Sequence, residues 1–242
     1  MQFSRTEMLF GPEAMQRLAD SHVAVFGVGG VGGYAVEVLA RSGVGAIDLI
    51  DNDRVSITNI NRQIIALLST VGQYKVDVAE KRIHDINPQC RVTKHCQFYL
   101  PENADTIDLS QFDYVLDCID TVAAKLELIR RCKRLGVPII SSMGAANKLD
   151  PTAFRVGDIE KTSVDPLAKV IRKKLRKEGI RGVKVVWSEE EPRTPLQLSK
   201  ATGTCDSENP RRSIPASNAF VPAAAGLIIG GEVVKAITRS ST

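Results

Sequence analysis

Between Val23 and Gly33 the chain reads VAVFGVGGVGG, an apolar run rich in β-branched residues that breaks directly into glycines at 27, 29, 30 and 32. A short run of that kind reads as a buried parallel strand. From Val31 to Ser42 small and apolar residues recur with helical spacing, and Gly43 is a suitable helix stop. AIDLID at 46–51 then returns as a second strand. Strand, glycine turn, helix, strand is the mononucleotide-binding βαβ unit, which points to an α/β fold built on a parallel sheet.

The alternation continues along the chain. Residues 13–20 look helical, residues 73–86 are amphipathic and stop at Asn87-Pro88, and CRVTKHCQF alternates as a strand does. YVLDCID from Tyr114, a helix over Val122 to Leu135 and the strand VPIISSM follow. The pattern predicts a doubly wound, mostly parallel Rossmann-like sheet with helices on both faces. Beyond Gly144 it changes to a mixed α/β extension. TAFRVGDI and VKVVWSEE read as strands flanking one basic helix, and SKATGTCDSENPRRSIPASN reads as a polar loop. Ser217 or Asn218 is placed to cap the last helix, with Pro222 in its first turn and Gly226 and Gly230 on one face for close packing.

At 242 residues, 43% of them apolar and 25% charged, the chain is expected to form a single domain over residues 1–242. The net charge of +4 is too modest to indicate nucleic acid without a local cluster. Cys90, Cys96, Cys118, Cys132 and Cys205 form no C-x-x-C pair, so neither a disulfide framework nor a structural zinc is expected. A reducing cytoplasm fits that usage, and MQFSRTEMLFGPEAM lacks an apolar signal core. AFVPAAAGLIIGGEVV is interrupted by Pro222 and falls short of the roughly 20 apolar residues of a span, so it reads as a buried helix, not a membrane segment.

Gly27, Gly29, Gly30 and Gly32 lie where backbone N–H groups and a helix N-terminus approach an anion closely. Asp51, at the end of the next strand, has the separation of an acid that hydrogen-bonds a ribose. NAD and ATP are served equally by these features. A site for nucleotidyl transfer must also neutralise a triphosphate and a departing pyrophosphate, which calls for Arg, Lys and a metal-binding carboxylate. NINRQ supplies Asn59, Asn61 and Arg62, GQYK supplies Lys75, and DCID ends a strand with Asp120. Each alone reads as a surface charge; together, in this order, they favour ATP.

GVGGVGG, DNDRVSITNINRQ, GQYKV and VLDCIDT resemble the ATP-binding core of the ubiquitin-activating-enzyme-like (ThiF-type) adenylyltransferases. The resemblance covers about residues 5–145 and leaves about 146–242 as a substrate-facing extension. It implies that Asp51 binds the ribose, that Asn59, Arg62 and Lys75 bind phosphates, and that Asp120 holds Mg²⁺. Asp53 and Gln63 fall in the same ATP-binding set, and Arg5 is the candidate to reach the ATP of a partner subunit in a homodimer. GAANKLDPTAFRVGDIEKTSVDPLAKVIRKKLRKEGI, VVWSEEEP and FVPAAAGLIIGGEVVKAI are similar to the branch that dehydrates N6-threonylcarbamoyladenosine in tRNA to its cyclic form. That branch implies a tRNA substrate and leaves room for a sulfurtransferase-type protein partner.

The chemistry agrees with the resemblance. Adenylation turns a carboxylate into a mixed anhydride, and intramolecular ring closure then needs no enzyme nucleophile. Cys205, in the polar loop, is a candidate for a catalytic or relay role, while Cys118 reads as core. A tRNA substrate calls for cations, and Lys169, Arg172, Lys173, Lys174, Arg176, Lys177 and Arg181 surround a stripe of Leu167, Ile171 and Leu175. Glu178 is the sole acid from Lys169 to Arg181, and Arg211 and Arg212 extend the patch. Such a run is more often a solvated face, but its density suits phosphates. Three rivals remain at this point: an activator of a ubiquitin-like sulfur carrier, an NAD-dependent oxidoreductase, and a non-catalytic RNA-binding module.

Overall fold

A computed structural model of the chain describes residues 2–196 and 215–239. The stretch 197–214, with Cys205, Arg211 and Arg212, lies outside the described residues. Apolar runs become strands where expected: β1 His22–Phe26, β2 Ala46–Ile50, β3 Arg91–His95, β4 Tyr114–Asp117, β5 Ile139–Ser142, β6 Phe154–Asp158 and β7 Lys184–Ser188. They form one seven-stranded sheet in the order β3-β2-β1-β4-β5-β7-β6. Every pairing is parallel except β6 with β7, which is antiparallel at the edge. Because β7 pairs with β5, the C-terminal extension continues the same sheet.

Helices α1 Ser4–Phe10, α2 Pro12–Asp20, α3 Gly32–Arg41, α4 Lys75–Ile86, α5 Val122–Leu135, α6 Pro166–Lys177 and α7 Val221–Thr238 complete the fold. Successive strand residues point to opposite faces, so each strand feeds two cores. Val23 and Val25 of β1 pack with α2, α3, α4 and α7 through Leu18, Leu39, Ile83 and Ile229. Ala24 and Phe26 pack with α5 and α6 through Leu128, Ile129, Ile171 and Leu175.

The termination of β1 is sterically exacting. Gly27 has φ +87°, a conformation other residues rarely adopt, and a Cβ on Gly32 would fall 1.8 Å from the Gly27 carbonyl oxygen. At the other end of the chain α7 lies against α3. A Cβ on Gly226 would sit 2.6 Å from Tyr34 Cβ, and one on Gly230 would sit 2.8 Å from Val38 Cβ. The Asn218 side chain accepts the N–H groups of Phe220 and Val221 at 3.1 and 2.9 Å and so starts this helix. At 18 residues with mean hydropathy 1.5, α7 is long and apolar enough to cross a membrane, but its buried residues are part of the protein core.

Several boundaries differ from expectation. The strand expected over CRVTKHCQF ends at His95, and YVLDCID leaves the sheet after Asp117, so Cys118 to Asp120 form a loop. Cys118 therefore borders a cavity as well as the core. Leu167 is only half-buried, whereas Ile171 and Leu175 are fully covered.

Candidate nucleotide-binding and catalytic site

β1 has β2 on one side and β4 on the other, and the crevice beyond their carboxyl ends is where open α/β sheets bind ligands. A cavity of about 770 Å³ opens there. It brings together Gly27, Gly29 and Gly30, then Asp51 and Asp53 after β2, Asn59, Arg62, Gln63 and Lys75, and Asp120 after β4. Gly32 stands beneath the turn as a packing glycine and does not line the cavity. Arg5 is exposed on α1, and Phe3 beside it packs on Gly43 at the opposite end of α3, so Arg5 is not part of its own chain's cavity.

Asp51 ties two loops together. Its Oδ2 accepts the Val28 N–H at 2.7 Å and its Oδ1 accepts the Asp53 N–H at 2.8 Å. Burial pushes this carboxyl above its ordinary range, with the charge of Lys75 pulling against it. Lys75, only 5% exposed at the start of α4, donates to Asp53 Oδ2 at 2.6 Å. Arg62 Nη1 donates to Thr58 O and Asn61 Oδ1, both at 2.9 Å, which leaves Nε and Nη2 without a partner among the described residues. Asn59 Oδ1 accepts the Ser56 N–H at 3.1 Å and closes a capping box. Gln63 is buried, and its Oε1 has no hydrogen-bond partner among the described residues, which leaves an orphaned polar atom at the cavity wall.

Asp120 is exposed, and its one polar contact among the described residues is the Thr121 hydroxyl at 3.4 Å. No three-ligand cluster exists among the described residues. A single free carboxylate beside a phosphate cradle nonetheless fits Mg²⁺, which is commonly held by one or two carboxylates plus substrate phosphates.

Sequence reasoning missed other parts of the site. Gln97, Phe98 and Tyr99 form one wall, and Ser142 to Ala146 with Leu167 form another. Beneath the β4 loop lies a network with no solvent contact. Asp117 Oδ2 accepts the Ser141 hydroxyl at 2.5 Å and lies 3.0 Å from Lys125 Nζ, while its Oδ1 accepts the Ile119 N–H at 3.2 Å. Asp117 thus anchors the loop that presents Asp120. Burial pushes the Cys118 thiol up to about 12, so at neutral pH it is not a thiolate.

The basic helix divides into two sets. Arg172 donates to the Thr162 carbonyl and hydroxyl, and Arg176 and Arg181 reach Glu160 at 2.6 and 2.8 Å. Of the seven cations expected at the surface, Arg172 is half-buried against Thr162, while Arg176 and Arg181 are exposed but paired with Glu160. Lys169, Lys173, Lys174 and Lys177 are exposed and form no ion pair among the described residues.

Fold and cavity together define a nucleotide-binding α/β protein whose glycine turn is faced by the side chains of Arg62, Lys75 and Asp120. The chain belongs to the ThiF family, whose model matches residues 3–242. It is 52% identical to the tRNA threonylcarbamoyladenosine dehydratase of Bacillus subtilis over 236 residues, which is 96% of this chain and 93% of that protein. Among solved structures it resembles the E. coli tRNA N6-threonylcarbamoyladenosine dehydratase TcdA in complex with AMP, with TM-score 0.85 and 38% identity. The structure of the same E. coli enzyme in complex with ATP gives TM-score 0.83 and 37% identity. Both alignments cover 98% of this chain and 93% of the other.

Proposed function

We propose that this protein dehydrates N6-threonylcarbamoyladenosine in tRNA, using ATP to activate the threonyl carboxylate. The observation that carries the reading is the likeness to such dehydratases along both halves of the chain, residues 146–196 and α7 included, joined to a cavity that holds Arg62, Lys75 and Asp120 on one glycine turn. On this reading about residues 5–145 hold the nucleotide and the extension over about 146–242 faces tRNA.

Backbone N–H groups of Gly29 and Gly30 and the N-terminus of α3 receive phosphate oxygens. Asp51 orients the ribose. Arg62 and Lys75 stabilise negative charge as it moves onto pyrophosphate; Lys75 exchanges Asp53 for a phosphate, which the solvent-facing Asp53 side chain permits. Mg²⁺ bound at Asp120 supplies further charge neutralisation on the phosphates. A carboxylate oxygen of the substrate attacks the α-phosphorus, the bond to pyrophosphate breaks, and a mixed anhydride with AMP remains. The substrate's own carbamoyl group then closes on the activated carbonyl, losing a proton and expelling AMP. Arg62 and Lys75 hold the anhydride in place, and high effective concentration drives the closure.

The exposed lysines of α6 supply phosphate contacts for tRNA. Met8, Leu9, Leu67 and Leu68 stand 87%, 77%, 53% and 80% exposed, which supports burial in a homodimer, with Arg5 on the same helix as Met8 reaching a partner's ATP. Sedimentation equilibrium reads that association. A tRNA substrate and four free cysteines among the described residues support a cytoplasmic setting. Incubation with ATP, Mg²⁺ and tRNA bearing threonylcarbamoyladenosine tests the activity: the modified nucleoside is expected to become lighter by the mass of water while AMP and pyrophosphate accumulate. An unchanged nucleoside beside adenylation of a sulfur carrier's C-terminus would overturn it.

A further inference from the structure

The wall formed by Ser142 to Ala146 has no charged side chain in the cavity, but a buried ion pair stands directly behind it. The side chains of Lys148 and Asp165 are 1% and 0% exposed, and Lys148 Nζ lies 2.9 Å from Asp165 Oδ2. The same ammonium donates to the Gly144 carbonyl at 2.6 Å. A Cβ on Gly144 would lie 3.0 Å from Asp165 Oδ2, so even a methyl group there would press on the pair. Asp165 in turn caps α6, its Oδ1 accepting the Ala168 N–H at 2.9 Å, and Leu167 in that first turn lines the cavity.

Two backbone features converge on the pair. Val164, which precedes the cap, has φ +61°, an outlier for a β-branched residue and a strain that persists only where the surroundings impose it. Asn147, which precedes Lys148, also has φ +61° and exchanges hydrogen bonds with Ala216 at 2.8 and 2.7 Å. Asn218, the residue that starts α7, donates to the Lys148 carbonyl at 2.7 Å. The cavity wall and the first turn of the cationic helix thus meet at the Lys148 ammonium, and the entry to α7 is tied to the backbone carbonyl of the same residue. A buried ion pair is costly compared with apolar residues of the same size, so its place here calls for a reason other than stability.

We propose that Lys148 and Asp165 are positioning residues that hold the cavity wall at Gly144 in register with α6, so that tRNA docked on the helix delivers its modified nucleoside to the α-phosphate. The inference rests on the dehydratase reading of the site. Neither side chain contacts a lysine or arginine side chain of α6 or the glycine turn; Asp165 meets Lys169 only through the backbone, its carbonyl accepting the Lys169 N–H at 3.0 Å. Removing the pair therefore uncouples two sites that each still bind.

The test compares the full-length wild-type protein with Lys148→Met, Asp165→Asn and the double variant. Asn keeps a cap for α6, and the double variant leaves no unpaired buried charge if a single variant fails to fold. ATP affinity by calorimetry and tRNA affinity by filter binding are expected to stay within about twofold of wild type. Single-turnover conversion of threonylcarbamoyladenosine at saturating ATP and tRNA is expected to fall about 100-fold, the scale of an ångström-sized misplacement of reactants. A purely structural role would instead lower both affinities in step with thermal stability, and that result overturns the proposal. Wild-type turnover in a folded variant overturns it as well. Wild-type protein that leaves threonylcarbamoyladenosine intact overturns the dehydratase reading, and the positioning role falls with it.

Discussion

Lys75 is buried, yet its charge remains usable because its partner is not: the side chain of Asp53 is 58% exposed. An ion pair with one wet member can open toward an incoming phosphate at little cost, since water takes over the carboxylate. Lys75→Met should fold normally and lose about 10²–10³-fold in the rate of pyrophosphate release, the loss typical for removing one donor from a preorganised anion site. Asp120→Asn should show a loss of similar size, relieved in part by raising the Mg²⁺ concentration; pyrophosphate release followed against Mg²⁺ reads both. At this scale the motif residues were legible because their chemistry is local. The network beneath them was not. DCID offers two aspartates, and only the packing of Lys125 and Ser141 decides that Asp117 is the buried anchor and Asp120 the exposed carboxylate. Phe98 and Tyr99 carried no signal, since an aromatic after a strand reads as core whether or not a cavity opens beside it.

Helix α3 is the element on which the site depends, because it starts at the phosphate turn and packs against α7. It is also tied to α4: Glu37 receives Arg82 Nε at 2.6 Å and Arg41 Nε at 2.7 Å. Burial alone would raise the Glu37 carboxyl, but the hydrogen bonds and charges of Arg82 and Arg41 outweigh it and hold the group below its ordinary range. An unfolded glutamate titrates near pH ~4.3. The lowered folded value means that this contribution is complete above that pH and is lost as pH falls through the folded pKa. Glu37→Gln should therefore cost about 1–2 kcal/mol at pH 7, a figure reduced for the partly exposed arginines. The gap between variant and wild type should shrink below pH ~4, which urea unfolding at a series of pH values measures. The central strands and helices were readable from apolar runs and helical spacing. Helix α1 was not, because it buries none of its residues and so leaves no periodic stripe.

On the proposed dehydratase activity, the whole molecule places a large polyanion beside a small cavity. Lys169, Lys173 and Lys177 recur at one-turn spacing along α6, whose first turn borders the cavity through Leu167. Replacing these three lysines by glutamate should weaken tRNA binding strongly and lower the slope of log affinity against log salt by about 1 per lost phosphate contact, with ATP affinity unchanged. Unchanged tRNA affinity in filter binding would mean that another surface carries the contact. The cationic run was plain in the sequence, but its division was not. Arg176 and Arg181 meet Glu160 across segments distant along the chain, and a pairing of that kind leaves no local signature.

The seating of Gly226 and Gly230 against Tyr34 and Val38 also has a temporal meaning. During synthesis the glycine turn and α3 emerge before α7, which covers them. Nascent chains fold largely from the N-terminus as they appear, but the contact between α3 and α7 must wait until α7 has been made. A polypeptide arrested before Val221 has already displayed its nucleotide motif and still lacks the helix that covers α3. The face of α3 around Tyr34 and Val38 thus stays uncovered until α7 has been made.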